Sequence, residues 1–333
     1  MSATRITRSF TPVPGPPGPT VEVPGKLFLA GEYAVLDGAP AVVAAAGRTA
    51  RAAFLPGLVP ASAVVAVAVE RARAALATRG LTLPVGAVRV DTSAFQHEGV
   101  KLGLGSSAAA AVASVAASFE SVGLPIADES ALLLAVADGA HRAAQGGVGS
   151  GGDIAAAVLG GFLRYVRTPA GTVAWTPLTL PVGLHLVPFW TRAAARTTDF
   201  ISGVRRFAQE KPAEHARRMG DLSAAAVAFA DAFAADAHRT VTAAATYGEA
   251  LAALGVDAAL PIVVPAVAAA AALASHLGGA AKPSGAGGGD MGIAFFASEA
   301  AAQTFAARCP EGVLVLDISL GVGGACTKIF KKD

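Results

Sequence analysis

Apolar and polar positions alternate in ways that divide the chain into alternating strand and helix patterns. Val21-Glu22-Val23 opens a strand, and the strand pattern continues through Leu27-Phe28-Leu29 between Gly25 and Gly31. Ala41–Ala46 and Thr49–Leu55 read as further strands. Residues 63–79 repeat apolar side chains at helical spacing and stop at Gly80, which fits a helix with a glycine cap. After a short strand at 88–91, helices are expected over 105–122, 128–145 and from Asp153 onward, then a hairpin of 161–167 with 172–176. A composition shift at Pro177–Pro181 marks a domain boundary. Beyond it come a strand at 184–190, with Pro188 suggesting an edge position, a loop at 191–198 capping a helix to Phe207, helices over 212–254 and 261–277, a strand at 292–296, a helix at 298–308 and a strand at 313–318.

Three stretches interrupt this pattern with glycine, and each carries charge or hydroxyls. Gly103-Leu104-Gly105-Ser106-Ser107-Ala108 leads straight into a run of helix formers. Glycine lets a backbone approach a ligand closely, and the first turn of the helix offers free N–H groups and a positive dipole end, an arrangement suited to phosphate. Ser106 or Ser107 can cap the helix, and a free hydroxyl can reach a metal carried on phosphates. Taken alone, the stretch also fits a plain capped turn, or loosely a dinucleotide fingerprint. It is not a Walker loop, because no Gly-Lys-Ser/Thr ends it. A dinucleotide site needs a buried apolar strand just before the loop, and Gln96-His97-Glu98-Gly99-Val100-Lys101 is too polar for one.

The second stretch, Gly146-Gly147-Val148-Gly149-Ser150-Gly151-Gly152-Asp153, ends in an aspartate at a helix start. Aspartate is a favoured N-cap; it is equally a carboxylate with room beside it to orient a nucleophile. The third is Lys282-Pro283-Ser284-Gly285-Ala286-Gly287-Gly288-Gly289-Asp290. Lys26 and Glu32 stand in an otherwise apolar segment, where a charge must be paired or reach solvent.

Composition narrows the class. A chain of 333 residues exceeds one ordinary core, so two domains are expected. With 53% hydrophobic and 15% charged residues the chain is globular, and a net charge of +2 speaks against nucleic-acid wrapping. Cys309 and Cys326 show no ligand spacing. The N-terminus lacks an apolar signal core and the alanine-rich run near 262–277 contains Pro265, so neither secretion nor a membrane partner is expected, and a cytoplasmic protein follows.

Together, in order, Pro24-Gly25-Lys26-x-x-x-x-Gly31-Glu32-Tyr33, Gly103-Leu104-Gly105-Ser106-Ser107-Ala108-Ala109 and Lys282-Pro283-Ser284-Gly285-Ala286-Gly287-Gly288-Gly289 resemble the three motifs of the GHMP kinases. The match spans roughly residues 21–327. Tyr33 after Glu32, the loop Gln145–Ala155, Trp190-Thr191 followed by Thr197-Thr198, and Asp290 after the glycine triplet are most similar to the phosphomevalonate kinases. The resemblance implies an α+β fold of two domains: an N-terminal one like ribosomal protein S5 domain 2 over 21–180 and a ferredoxin-like one over 181–333. Ahead of them, the prolines of Pro12–Pro19 can build neither a ladder nor a helix, so residues 1–20 are expected to be a flexible tail. It implies transfer of a phosphoryl group from ATP, with Mg2+, to 5-phosphomevalonate by a monomer or homodimer. Mevalonate kinase, or another small-molecule member of the superfamily, is the alternative.

By the same resemblance, Lys26 and Asp153 are catalytic. Lys101, Gly103, Leu104, Gly105, Ser106, Ser107 and Ala108 hold the ATP phosphates, and Ser107 touches the metal. Ser150, Gly151, Thr197, Thr198, Lys282, Gly287, Gly288 and Arg192 bind the acceptor. Because two anions must approach each other, the acceptor side needs cations, for which Lys101 is the first candidate and Arg192 and Arg196 come after it. Gly152 replaces an expected bulky residue, which implies a looser acceptor side, and His141-Arg142-Ala143-Ala144-Gln145 lacks a metal-binding carboxylate.

Overall fold

The computed structural model describes residues 20–147, 149–168, 170–194 and 197–328. The proline-rich tail at 1–19, Val148 and Arg196 therefore lie outside the described residues. The strands are β1 (Thr20–Ala30), β2 (Ala41–Pro56), β3 (Gly86–Asp91), β4 (Gln96–His97), β5 (Val100–Lys101), β6 (Phe162–Arg167), β7 (Val173–Leu178), β8 (His185–Trp190), β9 (Ala280–Pro283), β10 (Met291–Phe296), β11 (Leu314–Val315) and β12 (Cys326–Lys328). The helices are α1 (Ala63–Ala77), α2 (Ser106–Glu120), α3 (Ser130–Ala144), α4 (Gly152–Leu159), α5 (Thr197–Glu210), α6 (Pro212–Phe233), α7 (Ala237–Asp257), α8 (Pro265–His276) and α9 (Glu299–Ala307).

Two antiparallel sheets carry the molecule. The first runs β12-β1-β2-β6-β7, with β3 on the far half of β2. The second runs β11-β8-β10-β9. The period of two along each central strand sends alternate side chains to different cores. In β2, Ala41 and Val43 join α1–α4 in one core, while Val42 and Ala44 pack with α6 and α7 in a second. In β10, Ile293 and Phe295 face that same second core and Ala294 and Phe296 face a third, with α8 and α9. The middle core is thus shared by both sheets, which holds β1 against the loop from β9 to β10. Among the described residues no helix is long and apolar enough to cross a membrane.

Three details depart from the sequence reading. The two strands expected over 41–55 are one long strand, and the gap between them survives as a bulge within it: Pro24 pairs with Thr49 and Gly25 with Ala46, which leaves Gly47 and Arg48 as the extra residues of β2. β8 is an interior strand, despite Pro188. The Pro188 carbonyl accepts from the Leu316 N–H at 3.1 Å on the side of two-residue β11, so the missing donor falls where pairing is already ending. The C-terminal segment, grouped with the second domain by sequence, returns to the first sheet as β12 against Thr20–Glu22, with a further bridge from Gly323 to Gly160.

Candidate functional site

β1 brings Lys26 to the centre of the molecule, where the Lys26 backbone N–H bonds to the Leu104 carbonyl at 2.9 Å. This tie joins the first motif to the loop before α2. The side chain then runs over Gly105: a Cβ there would sit 3.0 Å from Lys26 Cγ and 3.1 Å from Cε. Gly105 has φ 79°, so glycine is required twice, for conformation and for room. It is also the N-cap of α2, and no side chain caps that helix. Ser106 and Ser107 therefore do not cap; the exposed Ser107 hydroxyl and the first-turn N–H groups remain available to a ligand. Leu104 and Ala108 are buried and anchor the loop in the first core. Gly103 holds the third motif: a Cβ there would stand 2.5 Å from Asp290 Cβ.

Lys26 is 8% exposed, its Nζ 3.8 Å from Asp153 Oδ2 and 5.3 Å from the centre of the Phe28 ring. Asp153 sits in the first turn of α4, whose N-cap is Gly151, so its carboxylate is not spent on capping. A buried cluster fixes this turn. The Ser150 carbonyl accepts from the Tyr165 hydroxyl at 2.7 Å and from Arg167 Nε at 2.6 Å, and Arg167 pairs with Asp138 at 2.6 Å. Burial pushes the Tyr165 phenol up to about 12, against the Arg167 charge, so it stays a donor. Gly151 is packed among all three of these side chains. Gly152 does not loosen the site: a Cβ there would lie 3.0 Å from Phe28, whose ring occupies the space a bulky residue would take.

Lys26, Phe28, Asp153, Ser150, Gly151, Thr197 and Thr198 line one cleft of about 240 Å³, together with Glu32, Tyr33, His141, Gln145, Ser202, Arg205, Gly285 and Ala286. That volume suits a small ligand, just under the usual range of about 300–1,000 Å³ for larger ones. Burial holds the His141 imidazole below its ordinary value, opposed by Asp153 and Asp138, and its Nε2 lies 3.0 Å from Gln145 Nε2.

Lys282 takes a different place from the one expected. It is 1% exposed and does not line the cleft; its Nζ lies 2.5 Å from Glu32 Oε1 and 2.8 Å from the Pro283 carbonyl. Burial lowers its pKa, and Glu32 opposes that shift. Glu32 Oε1 also accepts from the Gly285 N–H at 3.3 Å, the Glu32 carbonyl accepts from Tyr247 at 2.8 Å, and Tyr33 donates to the Ala286 carbonyl. Ser284 accepts from the Phe28 N–H at 3.0 Å. The third motif thus clamps the first rather than presenting a cation. Gly287 and Gly288 likewise lie off the cleft, where they let the backbone pass the Ile262 carbonyl and the Phe200 ring. Lys101 is exposed on β5 and Arg192, at φ 59°, is exposed beyond β8; neither reaches the cleft wall.

Asp138, Tyr165, Arg167, His141 and Arg205 were not singled out by the sequence. Asp138 and Arg167 are 29 positions apart on different elements, a separation that carries no local signal.

Family models for the GHMP kinases N terminal domain and GHMP kinases C terminal match residues 63–161 and 234–313. A phosphomevalonate kinase from Streptomyces sp. (strain CL190) is 31% identical over 341 residues, covering 83% of this chain and 89% of that protein. In structure the chain is similar to the Lin0012 protein of Listeria innocua, with a TM-score of 0.85, 24% identity and coverage of 93% and 99%. It is also similar to Streptococcus pneumoniae phosphomevalonate kinase in complex with phosphomevalonate and AMPPNP, with a TM-score of 0.78, 20% identity and coverage of 90% and 99%.

Proposed function

The chain belongs to the GHMP kinases, and from that premise we propose that it transfers the γ-phosphoryl group of ATP to 5-phosphomevalonate, giving 5-diphosphomevalonate and ADP. The observation that carries this reading is the pairing of Lys26 with Asp153 in the wall of a small cleft, beside the uncapped N-terminus of α2.

The loop Gly103–Ala108 receives the ATP phosphates on its backbone N–H groups. An oxygen of the acceptor phosphate attacks the γ-phosphorus, the bond from that phosphorus to the β-bridging oxygen breaks, and ADP leaves. Little covalent help is needed, so positioning and charge stabilisation dominate. Lys26, pinned between Gly105 and Asp153, meets the charge on the transferring group. The acceptor phosphate has its second pKa near about 6, so it arrives largely ionised at neutral pH. Asp153 therefore acts chiefly by holding Lys26 and the acceptor in place. Ser150, in the turn that leads to Asp153, and Thr197 and Thr198, at the start of α5, offer hydroxyls to the acceptor.

Among the described residues no three His, Cys, Asp or Glu side chains gather into a protein-made metal cage. That fits magnesium, which keeps waters and takes phosphate oxygens with one or two protein groups. The exposed hydroxyl of Ser107 would be the protein group to hold it, and the ion would supply charge neutralisation to the phosphates.

The test is to follow the reaction with ATP and 5-phosphomevalonate by phosphorus magnetic resonance. A new pair of coupled diphosphate signals beside those of ADP supports the reading; phosphorylation of mevalonate alone assigns the chain to the mevalonate kinases instead.

A further inference from the structure

A second cavity of about 360 Å³ adjoins the cleft, and the two share Tyr33, Leu36, Gly149, Ile201 and Arg205 as walls. Lys26 and Asp153 line only the first cavity. Arg205 thus stands where the two cavities meet, at the end of the cleft turned away from the reacting pair.

The other arginines around these cavities are engaged. Arg167 is held by Asp138 and the Ser150 carbonyl, and Arg142 donates to the Gly147 carbonyl at 3.2 Å. Arg206, the next residue on α5, lies 3.9 Å from Glu210 one turn on. Arg205 makes no hydrogen bond or ion pair with any described residue. A planar guanidinium left unpaired on a ligand-sized wall matches a carboxylate in geometry. Beside it, Val35, Leu36 and Ile201 give the cleft an apolar side. That combination suits a short acid with a methyl-bearing carbon between its two charged ends.

We infer that Arg205 binds the carboxylate of the acceptor and so sets the direction in which the substrate lies. This inference rests on the phosphomevalonate reading above. With the carboxylate on Arg205, the other anionic end, the phosphate, is carried toward Lys26 and Asp153. A substrate held the other way round would present a carboxylate where a phosphate must react.

The experiment compares steady-state rates of the wild type, R205Q, R205K and the control R206Q with 5-phosphomevalonate and with its carboxylate methyl ester. Arg205 is exposed, so R205Q is expected to fold as the wild type does. Losing one charged contact should raise KM for 5-phosphomevalonate roughly 10- to 50-fold, with kcat within about threefold and KM for ATP unchanged. R205K should recover part of the loss, and R206Q should show none. Esterification should cost the wild type a similar factor and cost R205Q nothing further, because both changes remove the same contact. An unchanged KM in R205Q overturns the inference, as do penalties that multiply between R205Q and the ester. If the wild type turns over 5-phosphomevalonate while either of those holds, only the role of Arg205 is lost. If the wild type does not turn it over at all, the functional reading fails and this inference falls with it.

Discussion

Replacing Lys282 with methionine tests how the third motif supports the site. Lys282 and Glu32 are 1% and 3% exposed, and they lie 250 positions apart in the chain. Methionine keeps much of the lysine volume, so packing changes little. What remains is a buried carboxylate whose Oε1 keeps only the Gly285 N–H and whose Oε2 has no partner. Breaking a buried pair in this way costs about 3–5 kcal/mol, which for chains of this size lowers Tm on the order of 10 °C. Adding Glu32→Gln removes the orphaned charge and should restore most of the loss. Denaturant unfolding of K282M and of E32Q/K282M at neutral pH reads this directly. A K282M protein within about 1 kcal/mol of wild type, or a double variant no better than the single one, refutes the reasoning.

Other consequences follow from the same geometry. Lys26→Ala removes the cation beside the phosphate loop and should lower kcat on the order of 10²–10³-fold with the fold intact by circular dichroism. Asp153→Asn keeps the shape of the side chain but releases Lys26, and a kcat near that of the wild type would remove Asp153 from the machinery. Gly105→Ala forces a Cβ within 3.0 Å of Lys26 at φ 79°; it should lose about 1–2 kcal/mol of stability and roughly 10²-fold in kcat through displacement of Lys26, measured by unfolding and by rate. The His141 imidazole is held neutral by burial, so the unfolded chain takes up a proton near pH 6.5 that the folded chain takes up only at lower pH. Stability should therefore fall as pH drops through 6.5, by at most about 1.4 kcal/mol per unit, and His141→Gln should flatten that slope.

Much of the fold was legible because both repeats are strong: period-two strands flank helices whose apolar spacing is regular, and the glycine stretches mark where they join. The phosphate loop, Lys26 and Asp153 could be read because their chemistry is local, with glycine, hydroxyl and charge within a few positions. What could not be read depends on contacts between distant elements. A lysine in a glycine-rich motif suggests a cation for phosphate, and only the meeting of β9 with the turn after β1 reveals that Lys282 pairs with Glu32. Gly152 looked like an opening because nothing near it in sequence says that Phe28 fills the gap. The Asp138–Arg167 pair and the position of Arg205 were hidden for the same reason. Pro188 misled because its cost depends on which side of the strand lacks a donor, a fact fixed by the short length of β11.

The most direct measurement is ADP release with Mg–ATP, run side by side with 5-phosphomevalonate and with mevalonate at matched concentrations. The account predicts turnover with 5-phosphomevalonate, loss of that turnover in Lys26→Ala, and no comparable rate with mevalonate. Turnover with mevalonate alone, or with 5-phosphomevalonate undiminished in Lys26→Ala, would contradict it.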